Sequence, residues 1–207
     1  MGVAHAASFR VSPGADSDCG DNECDLASAL DASENNGQND SILVEAGDYD
    51  ASAGFFYIGG DNSSLEIFGE GASETVLNGN GTNPVLSLDT TGAALDSSVD
   101  LIVTGIRFQN GTSSTGGGGL AVLSNDASLR VENCEFFDNQ TDVSGGGSSS
   151  DIGGGGLAFS SLGQGSVVLV NSSFTNNSSP QSAGAGALLV ANVGNIAMVG
   201  NTFVGNS

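Results

Sequence analysis

Residues 119–140 read GLAVLSNDASLRVENCEFFDNQ, and this stretch contains the element that decides the fold. Short apolar segments lead to Phe136, and Asn139 follows that phenylalanine at the third position. Phe-x-x-Asn elements run from Phe136 to Asn139, from Phe174 to Asn177 and from Phe203 to Asn206. Apolar segments that end again and again in the same element indicate an internal repeat.

The spacing of this repeat is typical of a solenoid. Phe108 precedes the three elements, and the four phenylalanines are 28, 38 and 29 residues apart. Units of this length bury their apolar faces by stacking on their neighbours. Seven positions before each phenylalanine, an alternating apolar segment begins at Leu101, Leu129, Val167 and Ile196. Each unit is therefore predicted to contain a strand there and a second strand after a glycine pair such as Gly118-Gly119.

Stacked parallel coils give the repeated residues a physical role. Equivalent residues of successive coils lie about 4.8 Å apart. We therefore expect one inward stack of phenylalanines, formed by Phe108, Phe136, Phe174 and Phe203. We expect an amide ladder at the following corner, in left-handed backbone geometry, formed by Asn139, Asn177 and Asn206. Asn110 follows Phe108 by two residues, which predicts a tighter or shifted corner in that unit.

The three cysteines divide into two kinds. Cys19 and Cys24 lie five residues apart in a polar loop, and this spacing is compatible with a disulfide in an oxidising compartment. Cys134 stands among apolar residues and is predicted to be a small core side chain.

The loop around the cysteine pair is the densest acidic cluster and a candidate for calcium, whose ligands are oxygens. Its carboxylates are Asp16, Asp18, Asp21, Glu23 and Asp25. The loop departs from the EF-hand pattern because Gly20 and Ala27 stand at ligand positions. A solvated loop pinned by the disulfide is the favoured interpretation, so no metal or other cofactor is predicted beyond this calcium alternative.

The charge balance excludes two classes of partner. The chain carries 24 acidic residues against three arginines and no lysine, for a net charge of −21. Nucleic acids and anionic lipids are bound through cationic side chains, so neither is expected as a partner. No stretch approaches the roughly 20 apolar residues of a membrane helix. Ala4-His5-Ala6 matches the small-x-small pattern before a signal cleavage site, which favours an extracellular or cell-surface location.

Two groups of motifs resemble known families. The Phe-x-x-Asn elements, with Gly118-Gly119-Leu120-Ala121, Gly155-Gly156-Leu157-Ala158 and Ala185-Gly186-Ala187-Leu188, resemble the repeats of chlamydial polymorphic outer membrane proteins. Residues 19–30, 42–49 and 65–71 are similar to the N-terminal part of secreted right-handed parallel β-helix proteins of the pectin-lyase-like class. The resemblance implies the fold, while the class includes lyases, hydrolases and adhesins.

Repeat and resemblance together predict an all-β protein, a right-handed parallel β-helix of about five to six coils. A short helix around Leu26–Ala32 and the disulfide loop are expected to cap its N-terminal end. We divide the chain into a signal remnant at 1–7, an N-terminal strand, loop and capping helix at 8–41, and coils at 42–207. Residues 144–150, Ser-Gly-Gly-Gly-Ser-Ser-Ser, are expected to form a flexible loop.

The residue types argue against an enzyme. Lyases of the resembled class use an arginine or lysine base, but Arg10, Arg107 and Arg130 stand apart and are expected to be solvated or paired with carboxylates. The hydrolases use clustered aspartates with a histidine, and the single histidine, His5, lies outside the repeats. The carboxylates near Phe136 are expected to be scattered surface groups: Glu135, Asp138, Asp142 and Asp151.

The expected function is that of a non-catalytic extracellular structural or adhesive protein. A glycan or another surface ligand is a candidate partner. The sequence ends directly after a Phe-x-x-Asn corner, which favours either a fragment or an end that receives another subunit. In the second case the strand Phe9-Arg10-Val11 is a candidate to add to a neighbour, giving a head-to-tail filament. The alternatives are a carbohydrate-active β-helix enzyme, lyase or hydrolase, and a fragment of an autotransported adhesin.

Overall fold

The computed structural model describes residues 7–93, 99–142, 153–180, 184–191 and 194–207. Within these ranges the chain forms 21 strands and one helix. In chain order the elements are β1 (Ser8–Val11), β2 (Glu23–Cys24), α1 (Leu26–Ser33), β3 (Asp40–Val44), β4 (Gly47–Asp50), β5 (Phe55–Ile58), β6 (Leu65–Gly69), β7 (Thr75–Asn78), β8 (Leu86–Thr90), β9 (Asp100–Thr104), β10 (Arg107–Gln109), β11 (Thr112–Ser113), β12 (Leu120–Ser124), β13 (Ser128–Glu132), β14 (Glu135–Phe137), β15 (Gln140–Thr141), β16 (Leu157–Ser161), β17 (Val167–Val170), β18 (Ser173–Thr175), β19 (Ala187–Ala191), β20 (Ile196–Val199) and β21 (Thr202–Val204).

The strands form a parallel β-helix with three main faces. Sheet A has the order β2-β1-β3-β6-β9-β13-β17-β20, sheet B the order β4-β7-β10-β14-β18-β21, and sheet C the order β5-β8-β12-β16-β19. A short sheet D pairs β11 with β15 at the corner between sheets B and C. Five coils contribute one strand each to sheets A, B and C, and a sixth contributes β20 and β21. The predicted fold class and number of coils are confirmed.

The alternation seen in the sequence decides which side chains form the core. On sheet A, Leu129 and Val131 point inward and are at most 1% exposed, while Arg130 between them is exposed. Register pairs keep such residues in columns, because Leu129 lies between Leu101 and Val167 on the neighbouring strands. Each fully buried aliphatic side chain stabilises the fold by about 1.5–3 kcal/mol.

Helix α1 covers the first strand of sheet C. Asp25 caps the helix by accepting a hydrogen bond from the Ser28 amide at 2.7 Å. After the helix, Glu34 accepts the Ile58 amide at 2.6 Å, and the Asn35 side chain donates to the Ile58 carbonyl at 3.2 Å. The predicted helix is confirmed, and its flanking side chains satisfy polar groups at the outer edge of β5. No helix in the described ranges is long and apolar enough to cross a membrane.

The candidate assembly strand, Phe9-Arg10-Val11, is part of the fold of its own chain, and its addition to a neighbour stays a prediction. These residues belong to β1, which pairs with β3 from Ser8 to Val11 and with β2 on its other side. Phe9 is 6% exposed and Val11 is fully buried. Donation to a neighbour would break these pairs and uncover the core. The proposed signal remnant, apart from Ala7, and the loop at 144–150 lie outside the described residues.

Candidate functional site

The phenylalanines of the repeat form one stack through sheet B. Ring centroids are 5.1 Å apart between Phe108 and Phe136, and 4.6 Å apart at each of the next two steps, to Phe174 and Phe203. The last two pairs have interplanar angles of 4°. Leu77 occupies the same register position one coil before Phe108. The stack fills the interior with rings held at strand spacing.

The asparagines three residues after these rings form a continuous hydrogen-bonded ladder. The Asn139 side-chain amide donates to Asn177 Oδ1 at 3.0 Å and to the Phe108 carbonyl at 2.9 Å. Asn177 repeats both bonds with Asn206 Oδ1 and the Phe136 carbonyl, each at 3.0 Å. Asn139 and Asn177 are both fully buried. Each side chain therefore satisfies backbone groups at the corner as well as its neighbour in the ladder.

The expected left-handed geometry falls on a different residue from the one predicted. Left-handed backbone angles occur at Asp138, Asn176 and Gly205, one position before each ladder asparagine. In the preceding coil Asn110 has this conformation, with φ of 53°. Gly111 then occupies the ladder position and its amide donates to Asn139 Oδ1 at 2.9 Å. The corner after Phe108 therefore has the backbone arrangement of the others, with Gly111 in place of the ladder asparagine, and the prediction of a tighter or shifted corner is wrong.

Glycines from sheet C explain why two motifs recur together. A Cβ atom on Gly119 would lie 2.6 Å from the Gly156 carbonyl oxygen and 3.0 Å from both the Phe136 ring and the Asn139 side chain of the next coil. Gly156 has the same relation to Phe174 and Asn177, at 3.1 Å from each. The glycine pair of one coil thus leaves space for the Phe-x-x-Asn element of the next. Sequence reasoning missed this coupling, although the fixed order of the two motifs is a signal of it.

A second buried column, also missed from the sequence, lies at the corner between sheets A and B. Cys134 stands two residues before Phe136, and Ser172 and Asn201 occupy the same place before later phenylalanines. The Cys134 amide donates to Ser172 Oγ at 3.2 Å, and the Ser172 amide donates to Asn201 Oδ1 at 2.9 Å. Cys134 is 2% exposed, and burial raises the pKa of its thiol to about 12. The thiol is therefore a core group.

Four carboxylates of the acidic loop near the N terminus line one open pocket, and each also accepts a local hydrogen bond: Asp16, Asp18, Asp21 and Glu23. Cys19 and Cys24 form a disulfide with Cα atoms 4.9 Å apart. The first three aspartates accept nearby backbone amides: Asp16 from Asp18, Asp18 from Gly20 and Asp21 from Glu23. Glu23 accepts from Ser12, and Asp25 caps α1. Within the described residues no three histidine, cysteine or acidic side chains are arranged to hold a metal ion, so the calcium candidate gains no geometric support.

Each arginine lies against a glutamate. Arg10 contacts Glu45, and this hydrogen bond raises the pKa of Arg10 above its ordinary value. Arg130 contacts Glu132. On the outer face of sheet B, Arg107 Nε lies 3.8 Å from Glu135 Oε2, and its guanidinium carbon lies 4.6 Å from the centre of the Phe137 ring. Asp138 and Asp142 are exposed, and Asp151 lies outside the described residues.

The outward positions of sheet C form a largely apolar surface, here named the outer C face. Strand register arranges its residues in two columns, Phe56, Ser87, Ala121, Ala158 and Leu188 beside Ile58, Asp89, Leu123, Ser160 and Val190. Four large apolar side chains here are strongly exposed, namely Phe56 at 48%, Ile58 at 58%, Leu123 at 51% and Val190 at 42%. Seven of the ten positions are apolar, and one carries a carboxylate.

Part of the outer C face is concave. A groove of about 230 Å³ runs between Leu123, Leu188 and Val190, with Thr115 and Gly116 among its other lining residues. The small side chains of Ala121 and Ala158 form its floor between the larger ones. Apolar surface that is shaped in this way and contiguous marks a binding site more often than scattered exposed residues do.

Comparisons of the chain with models of protein families, with curated proteins and with solved structures found no match. The resemblance to the chlamydial repeats and to the pectin-lyase-like class therefore rests on the residues that carry it.

Proposed function

We propose that this protein is a non-catalytic structural or adhesive β-helix that acts outside the cell. The observation that carries the proposal is the outer C face, where large apolar side chains are exposed on three of the five strands, β5, β12 and β19. Surfaces of this kind are the contact sites of proteins that bind other macromolecules.

The interior of the β-helix supports such a role. Asn139 and Asn177 are fully buried and hydrogen-bonded on both sides, and the rings between Phe108 and Phe203 are stacked without a gap. A saturated polar ladder fixes the register of the coils. The outer C face is then held as a rigid, preorganised surface, which lowers the entropic cost of binding.

An extracellular location has two supports. The disulfide between Cys19 and Cys24 is a bond of oxidising compartments. The repeat also resembles that of chlamydial polymorphic outer membrane proteins, and the pectin-lyase-like class that the N-terminal part resembles includes adhesins.

The cover over the N-terminal end of the β-helix is relevant to the hypothesis of a head-to-tail filament. Among the described residues, helix α1 packs at the edge of β5 and β2 pairs with Arg10 and Val11 of β1, so the N-terminal edges of sheets C and A are partly covered against a second copy. We therefore propose a single β-helix as the acting unit.

A carbohydrate-active enzyme is the second candidate, because one place on sheet B brings a cation, a carboxylate and an aromatic ring together. These are Arg107, Glu135 and Phe137. The Arg107 guanidinium lies against the Glu135 carboxylate and over the Phe137 ring, so its contacts are with its own neighbours on sheet B. The pair is better explained as a surface ion pair stacked on a ring.

The test is an incubation of the purified protein with polygalacturonate and alginate, followed by measurement of new reducing ends and of the ultraviolet absorbance of unsaturated sugar ends. We expect no product above that of heat-denatured protein. Product that disappears in the Arg107→Gln variant would overturn the non-catalytic proposal and place the reaction on sheet B.

A further inference from the structure

We propose that the outer C face docks a basic, amphipathic segment of another protein, with apolar side chains of that segment seated in the groove between Leu123 and Val190. The inference rests on the proposed adhesive role and deepens it by naming the surface and the chemistry of the partner. It is carried by three properties of the face: its shape, its exposure and its charge.

The shape of the face favours a segment of polypeptide. The groove holds about 230 Å³, which is room for a few aliphatic side chains and too little for most bound small molecules. Leu188 and Val190 stand on one side and Leu123 on the other. Alternate side chains of an extended segment, or one face of a helix, present apolar groups at such a spacing.

The exposure of the face is not explained by the fold. Leu123 and Val190 point outward from strands whose neighbouring residues Val122 and Leu189 point inward. Neither outward side chain belongs to the buried core. A large aliphatic side chain that is half exposed gains its burial free energy only when a partner covers it.

The charge of the molecule selects the partner. The chain carries −21, and its three arginines lie against Glu45, Glu135 and Glu132. The face carries Asp89 and no cation, and Glu34 and Asp61 lie at its N-terminal end near Ile58. Lysine or arginine residues beside the apolar ones would be attracted to this field, and acidic partners would be repelled.

The same field argues against a second copy of this chain as the occupant. Two outer C faces in contact would bring together two molecules of charge −21, with no unpaired cation among the described residues to offset them. Like-charge repulsion of this size disfavours self-association at physiological salt. The occupant is therefore a different, basic protein.

The experiment is a calorimetric titration of the whole protein with a short synthetic peptide of alternating valine and lysine. Two control peptides replace lysine by glutamate or valine by serine. The protein variants are Leu123→Ser combined with Val190→Thr on the outer C face, and Leu43→Ser as the matched control, because Leu43 is an exposed leucine on sheet A at 39%. Thermal unfolding of each variant verifies that it is folded.

We expect saturable binding of the valine–lysine peptide, weakened about tenfold or more by the double substitution and unchanged by Leu43→Ser. Equal binding of the serine–lysine peptide would show attraction by charge alone and overturn the apolar docking. Equal binding of the valine–glutamate peptide would overturn the inference that the partner is basic. A dimer that forms with rising protein concentration and is lost in the double variant would show that the outer C face binds a second copy of the chain instead. Absence of binding would overturn the docking inference while the polysaccharide assay still decides whether the protein is non-catalytic.

Discussion

Gly156 lies against Phe174 so closely that a Cβ atom on the glycine would be 3.1 Å from the ring. The two residues come from successive coils, Gly156 just before β16 of sheet C and Phe174 within β18 of sheet B. This contact joins the two sequence motifs of the repeat into one packing unit. The regular core of the β-helix therefore depends on the absence of a side chain as much as on the aromatic rings.

Substitution Gly156→Ala should destabilise the protein by about 2 kcal/mol, within the range for overpacked cores. The added methyl group would meet the Gly186 carbonyl oxygen at 2.5 Å as well as Phe174 and Asn177. Urea unfolding followed by circular dichroism measures the change. Gly92→Ala is the control, because a Cβ there meets its nearest atom at an ordinary 3.5 Å. Equal effects of the two substitutions would contradict the packing argument.

Substitution Asn177→Ala should cost about 3 kcal/mol of unfolding free energy. It leaves the Phe136 carbonyl and the Asn139 amide without their partners in a buried corner, and each such group costs about 1–3 kcal/mol. Asn62→Ala, at an exposed loop asparagine, should change the unfolding free energy by less than about 0.5 kcal/mol. A loss at Asn177 no larger than at Asn62 would mean that the ladder does not stabilise the fold.

The sequence predicts much of this fold because the core is periodic. Phe136 and Asn139 recur at spacings that only stacked coils explain, and the helix at Leu26 stands out because no repeat element overlaps it. The fixed order of the glycine and Phe-x-x-Asn motifs is a signal of the contact between Gly156 and Phe174, but the sequence does not show which residues of successive coils lie opposite each other in the interior. The outer C face was missed for a different reason. Leu123 and Val190 alternate with core residues, and alternation alone does not say which apolar side chain faces water.

Reduction of the disulfide between Cys19 and Cys24 should lower the unfolding free energy by about 2 kcal/mol, the value expected from the entropy of a loop with so short a span. Unfolding in urea with and without dithiothreitol measures this loss. The Cys19→Ser variant is the control, because the reductant should have no further effect on it. A reductant effect of the same size in that variant would exclude the disulfide as the cause.

The stability difference between the Asp40→Asn variant and the wild type should depend on pH. Burial raises the pKa of Asp40 above its ordinary value, although hydrogen bonds from Asn36 and Ala7 oppose the shift. A carboxyl whose pKa is higher in the folded state favours folding at low pH, and this contribution is lost as the pH rises through the unfolded and then the folded pKa. The amide of the variant does not titrate and carries no such loss. The unfolding free energy of the variant minus that of the wild type, measured by urea unfolding, should therefore rise between acidic and neutral pH. A difference that stays constant or falls would contradict the raised pKa of Asp40.

The most direct test of the proposed adhesive role is a methyl NMR titration of the whole protein with the valine–lysine peptide. We predict saturable shifts of the methyl signals of Leu123, Leu188 and Val190, and unchanged signals for Leu43 on sheet A and for the buried Leu77. Such a pattern would locate binding on the outer C face of an unaltered β-helix. The account would be contradicted by shifts at Leu43 equal to those at Leu123. It would also be contradicted if none of these methyl groups shifted at about 1 mM peptide, a concentration at which binding free energies as weak as about −4 kcal/mol are detected.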